Sequence, residues 1–185
     1  MRTDAFTLTE FLLEAMKLKD IPRTGWRRIG IQTGESVADH IFGVILLAYL
    51  LGDSRGLNQE RLIKMALIHD LPEAHTGDIP RSSESVQREK LITESRILHE
   101  IVESMPRRLR EEISDLWREY ARGETREATF LRELDKLEMA FQALRYERSY
   151  PNLKQKLEQF WASAKAVVRD DDLLETLSRL SQLST

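Results

Sequence analysis

At 185 residues, with a net charge of −3 and a pI near 5.9, the chain fits one domain and lacks the basic surface of a nucleic-acid binder. It contains no cysteine, which excludes disulfides and every thiolate-held zinc or iron–sulfur centre, so any metal must be held by His, Asp, Glu, backbone or water. The longest apolar run, Ile41 to Leu51, falls well short of the roughly 20 residues that span a bilayer. The opening MRTDAFTLTE lacks a signal-peptide layout. A soluble, cytoplasmic protein is expected, with neither membrane nor nucleic acid as partner.

Only 8 Gly and 5 Pro, against 32% charged residues, point to long helices with solvated outer faces. The first helix is expected from about Leu8 to Leu18, where Phe11, Leu12, Ala15, Met16 and Leu18 recur at helical spacing. Pro22, Gly25, Gly30 and Gly34 mark the stretch from Pro22 to Glu35 as a loop. Ser36, with Asp39 three residues on, forms a capping-box pattern that opens a helix over about Val37–Asp53. Asn58 caps a third helix, about Gln59 to Ala74, and a second loop follows over His75–Ser83. Further helices are expected over Glu84–Met105, over Pro106–Ala121 with Gly123 as its stop, and over Arg126–Arg148. Two more then run to about Val168 and Leu180. No segment alternates like a strand, so the fold class is all-α.

Four potential ligands occupy positions that are awkward without a partner. His40 lies in the first turn of its helix, before the run IFGVILLAYL, where the positive helix end favours a neutral ring able to ligate. His69 and Asp70 sit within MALIHDLPEA, a largely buried turn. Asp135 sits within LRELDKLEMAF, flanked at helical spacing by Leu131, Leu134 and Leu137. An unpaired carboxylate on such a face would cost several kcal/mol or shift its pKa strongly. Each residue taken singly fits an ordinary core or surface role, and Asp135 could be half-exposed or paired with Arg132, Arg145 or Lys136. The ordered set is what carries weight: His, then His-Asp 29 residues later, then a buried-looking Asp 65 residues beyond Asp70, all on helices. Two imidazoles and two carboxylates neutralise one divalent ion and leave positions for water and a phosphate oxygen. The mixed N,O set suits Co, Mn, Ni or Fe better than Mg or Zn.

The H…HD…D pattern resembles the HD phosphohydrolase superfamily, and the flanking residues are similar to its 5′-deoxynucleotidase branch. The matching stretches are PRTGW (Pro22–Trp26), ESVADH (Glu35–His40), ALIHDLPEA (Ala66–Ala74), TGDIP (Thr76–Pro80) and LRELDKLEM (Leu131–Met139). The resemblance implies a single HD-domain helical bundle that removes phosphate from a nucleoside 5′-monophosphate, and a homodimer. It implies His40, His69, Asp70 and Asp135 as metal ligands and Glu73 as the acid that prepares water. Asp78 would meet the sugar 3′-hydroxyl, and Trp26 would line the substrate pocket. Glu73, four residues beyond His69, is also expected on the same helical face. Bacterial members carry Arg beside this Trp, where Gly25 stands here. Arg23 is the substitute expected for phosphate contact, with Arg27 second. His75 matches no family role, and His99 reads as an ordinary helix-face residue. Two other readings stay open. One is a different HD nucleotide hydrolase, acting on triphosphates or cyclic nucleotides. The other is a helical interaction module with a vestigial site, its partner face built from Phe141, Leu144, Leu157, Phe160 and Trp161.

Overall fold

The structure, a computed structural model, describes residues 5–80 and 84–184. Ten α-helices appear among the described residues: α1 Ala5–Met16, α2 Thr24–Arg28, α3 Val37–Leu51, α4 Gln59–Ile68, α5 Glu73–Thr76, α6 Glu84–Val102, α7 Arg107–Arg122, α8 Arg126–Ser149, α9 Lys154–Val167 and α10 Asp171–Gln182. No strand is present there, only an isolated bridge between Pro22 and Ser36. The expected all-α bundle is the fold.

Local caps fix most of the boundaries. Ser36 Oγ accepts from Asp39 N–H, and Asp39 Oδ2 accepts from Ser36 N–H at 2.8 Å, closing the capping box that opens α3. Asn58 caps α4 by accepting from Arg61 N–H at 3.0 Å. Gly123 closes α7 at φ 67, a left-handed conformation open to glycine at little cost. Thr125 then starts α8 by accepting from Ala128 N–H.

Three boundaries depart from the sequence reading. The stretch over 22–36 is not all loop: it carries α2, and it is pinned at its ends by Arg23 N–H to Glu35 O (3.0 Å) and Val37 N–H to Ile21 O (2.8 Å). The helix expected over Gln59–Ala74 breaks after Ile68, and the chain turns through His69–Pro72 before α5. Pro72 forces that break, since its ring removes a donor and clashes with the preceding turn. Pro106 precedes α7 as its cap rather than standing in its first turn. The last three residues of the expected 75–83 loop, 81–83, lie outside the described residues.

Helix α8 is the centre of the bundle, packed by α3, α4, α7, α9 and α10. Its buried residues run from Ala128 to Glu147 and point in every direction around the axis. A helix apolar on one side only cannot occupy that place. Leu144, Leu157, Phe160 and Trp161, weighed above as a partner face, are buried in this core, while Phe141 is 37% exposed. The bundle therefore presents α8 residues 135–139 to α3 and to the turn after α4.

Candidate metal centre and cavity

His40 lies in the first turn of α3, His69 and Asp70 in the turn that ends α4, and Asp135 at mid-α8. One ligating atom from each of His40, His69 and Asp135 lies within 4.8 Å of the other two. His40 Nε2 is 3.2 Å from Asp135 Oδ1. Asp70 Oδ2 is 3.3 Å from His69 Nε2 and 3.9 Å from His40 Nε2.

The tautomers follow from the opposite ring edges. His69 Nδ1 is 2.7 Å from the Ala66 carbonyl, and His40 Nδ1 is 2.6 Å from Glu138 Oε2. A carbonyl and a carboxylate only accept, so each Nδ1 carries the hydrogen. Both Nε2 atoms are buried and have no hydrogen-bond partner. Two orphaned imidazole nitrogens aimed at two carboxylates form a donor set that fits a divalent ion.

Electrostatics around the set are strong. Burial and Arg23 lower the pKa of His40, but Glu138 and Asp135 outweigh them and hold it near 10 without a cation between them. Two carboxylates at contact distance thus act on the ring more strongly than the helix terminus does. Burial pushes against the ionised form of Asp135, yet Lys136 and His40 hold it well below the usual carboxylate range. Asp70 is likewise lowered, against burial, by His69 and Arg23. Glu73 goes the other way: burial, and then the charge of Asp70, raise it to about 9, with Lys90 opposing.

These groups meet a cavity of about 470 Å³ whose wall includes His69, Asp70, Glu73 and Asp135. Glu73, at the first position of α5, is 2% exposed; its Oε1 accepts from Lys90 Nζ at 3.0 Å and its Oε2 has no partner. It reaches the same side as His69 through the turn, and not along a continuous helix as expected. Asp78 also lines the cavity. Its Oδ2 accepts from Thr24 N–H at 2.5 Å, so it caps α2 from 54 residues away, and its Oδ1 is 3.6 Å from Arg23 Nη1. Arg23 Nη1 is also 3.6 Å from Asp70 Oδ2. Arg27 is exposed and, among the described residues, is not part of the lining.

A match to the HD domain runs from residue 15 to residue 176, across all of these side chains. The chain belongs to the HD-domain family. Among its relatives, human 5′-deoxynucleotidase HDDC2 is 34% identical over 176 residues, covering 95% of this chain and 85% of the human one. The 5′-deoxynucleotidase hdd1 of Schizosaccharomyces pombe is 37% identical over 163 residues, covering 85% of this chain and 81% of its own. The crystal structure of the PH0347 protein from Pyrococcus horikoshii OT3 superposes with a TM-score of 0.78 at 34% identity, over 95% of this chain and 99% of that one.

Within this HD-domain site, Trp26 lines the cavity but is only 1% exposed. Its Nε1–H donates to Glu35 Oε1 at 2.7 Å, and its ring packs on Phe160 with centroids 3.9 Å apart. Trp26 is thus the floor of the cavity and a plug that holds α2 in place. A Cβ at Gly25 would stand 3.1 Å from the Phe160 ring, which would have to give by a few tenths of an ångström to admit it. Sequence reasoning missed two cations in the HD-domain cavity, Arg28 and Lys90, and considered Arg132 and Lys136 only as possible partners of Asp135. Arg132 donates to the Tyr120 and Ala121 carbonyls at the end of α7, and Lys136 Nζ is 3.0 Å from Asp135 Oδ2. It also missed Glu138, although Glu138 stands three residues beyond Asp135 on the same apolar-flanked helix face. His75 pairs with Glu14 at 2.5 Å and His99 is exposed on α6, so both stand apart from this set.

Proposed function

We propose that this HD-domain protein is a metal-dependent phosphohydrolase that removes the 5′-phosphate from nucleoside monophosphates and prefers the 2′-deoxy sugar. The observation that carries the proposal is the convergence of two buried, unpartnered Nε2 atoms with Asp135 in one cluster, with Asp70 Oδ2 3.3 and 3.9 Å from those nitrogens, at a cavity that Glu73 also lines. The human and fission-yeast relatives, both named as 5′-deoxynucleotidases, support the substrate class.

In this reading His40, His69, Asp70 and Asp135 hold one divalent ion, with Co, Mn, Ni or Fe suited to the mixed donors. When bound, such an ion polarises a phosphate oxygen and lowers the pKa of water. Glu73 would take the proton from the attacking water on its unpartnered Oε2 once the ion, by offsetting the charge of Asp70, had returned its carboxyl to the ionised form. Lys90 on the other oxygen supports the ionised form needed at that moment. Arg23, Arg28 and Lys136 offset the phosphate charge, and Asp78 accepts from the sugar 3′-hydroxyl, leaving a 2′-hydroxyl crowded. No covalent phospho-enzyme is required.

The protein is also proposed to be cytoplasmic and a homodimer. Among the described residues no helix is long and apolar enough to cross a membrane. Phe42, Leu46, Tyr49 and Leu50 leave one stripe of α3 exposed, a surface that a second copy can match by two-fold symmetry.

The deciding experiment measures kcat/KM for deoxy- and ribonucleoside 5′-monophosphate pairs with several divalent metals, in wild type and Asp78→Ala. A deoxy preference that shrinks in Asp78→Ala is expected. Equal values in wild type would remove the sugar specificity, and activity on triphosphates or cyclic nucleotides alone would overturn the substrate class.

A further inference from the structure

A glutamate at position 138 is anomalous on physical grounds. It lies mid-helix in α8, it is 7% exposed, and Leu134, Leu137 and Ala140 around it are buried. A carboxylate in such a place needs a partner, and its Oε2 has one in His40 Nδ1 at 2.6 Å. The facing helix is shaped to admit it. Gly43 lies three residues beyond His40 on α3, in ordinary helical backbone, where glycine costs roughly 0.5–1 kcal/mol relative to alanine. A Cβ there would stand 2.7 Å from Glu138 Oε1, 2.8 Å from Cγ and 3.1 Å from Cδ. Space for the Glu138 side chain, and not backbone conformation, is what position 43 supplies.

We propose that Glu138, seated in the notch at Gly43, is the positioning residue that fixes the His40 ring with Nδ1–H on the carboxylate and Nε2 toward the metal. This rests on the reading of His40 as a ligand. The other neutral tautomer would set the Nδ1 lone pair against the carboxylate, and a ring turned over would put Cδ2–H there. Held as it is, Nε2 faces Asp135 at 3.2 Å and Asp70 at 3.9 Å. A second cluster, Glu35, His40 and Glu138, also has ligating atoms within 4.8 Å of one another. Glu138 is committed to His40, and Glu35 to the Trp26 indole at 2.7 Å, so this cluster supports the ring instead of forming a second ion site. The Trp26 plug and His40 are thereby linked through one half-buried and one buried carboxylate.

The test uses the full chain stripped of metal and titrated with Co(II), read by its visible absorption and by competition with a chelator. Glu138→Ala should weaken Co(II) binding about 10–100-fold, the usual effect of losing such an outer partner. Glu138→Gln should fall between, because its amide oxygen still accepts from Nδ1–H. Far-UV circular dichroism should show the same helix content in all three proteins. If Glu138→Ala does not fold, wild-type protein loaded with Zn(II) supplies the readout. Long-range 1H–15N spectra of its four histidines should show His40 protonated on Nδ1. Unchanged Co(II) affinity in a folded Glu138→Ala, or a His40 proton on Nε2, would overturn the proposal alone. Wild type that takes up no Co(II) would overturn the metal reading and this proposal with it.

Discussion

Gly43→Ala, taken alone and together with Glu138→Ala, tests the packing around the proposed metal centre apart from any chemistry. The new methyl group would lie inside contact distance of three Glu138 atoms, one of them Cγ, which cannot swing away as a carboxylate tip can. Glu138 is also tethered to His40 at 2.6 Å, so relief requires breaking that bond or parting α3 from α8. Overpacking of this kind costs about 1–3 kcal/mol. Against it stands the gain of about 1 kcal/mol from alanine over glycine in a helix interior. Gly43→Ala by itself should therefore range from neutral to about 2 kcal/mol destabilising. In the Glu138→Ala background the clash is gone and only the helical gain of about 1 kcal/mol remains. The double-mutant cycle should thus show a coupling of about 1–3 kcal/mol, measured by urea unfolding of metal-free protein. A coupling under about 0.5 kcal/mol, the size of ordinary additivity error, would refute the notch.

Further outcomes follow from the same geometry. Glu73→Gln keeps size and loses the base, so turnover should fall about 10²–10⁴-fold while Co(II) still binds; near-normal turnover would reassign the proton. The same variant has a signature in metal-free stability. The folded protein keeps a proton on Glu73 up to about pH 9, while the unfolded chain releases it near 4.5, so wild-type stability should decline as pH rises through that interval. Glu73→Gln should lose this decline, and equal slopes in the two proteins would contradict the burial argument. Arg23→Ala should raise KM for nucleotide more than Arg27→Ala does, because Arg23 lies between Asp70 and Asp78 while Arg27 is exposed. The reverse order would move the phosphate contact to Arg27. Chelation should abolish turnover yet leave a folded helical domain, and loss of helix content on chelation would make the ion structural.

What the sequence disclosed and what it concealed divide along the range of the interactions involved. Caps are local, so Ser36, Asn58 and Gly123 announced α3, α4 and the end of α7. Helix α2 escaped notice because the carboxylate on its first N–H comes from Asp78, 54 residues away, while Gly25 and Gly30 gave the local signal of a loop. The break after Ile68 was legible in principle, since Pro72 stood in the expected helix. Among the site residues, the four potential ligands stood out as polar groups on apolar faces. Glu138 sits on such a face too, three residues past Asp135, but its counterpart Gly43 reads as an ordinary glycine until α3 and α8 are side by side. The cations at 28 and 90 were hidden for a related reason: 32% of the chain is charged, and only packing separates a cation on the cavity wall from one in solvent.

The central position of α8 bears on how the chain acquires its site during synthesis. Asp135 and Glu138 come from α8, late in the chain, whereas His40 and the His69–Asp70 pair come from α3 and the turn after α4. While the first 130 residues emerge, α3 and α4 can already pair, but the apolar faces they will turn to α8 have no cover. Contacts that span about a hundred residues carry a large loop-closure cost and form late. The proposed ligand set would therefore be completed only after α8 has formed, and an ion would enter a nearly finished bundle. Its binding energy then acts on the last step, drawing the finished bundle away from its open precursors by mass action.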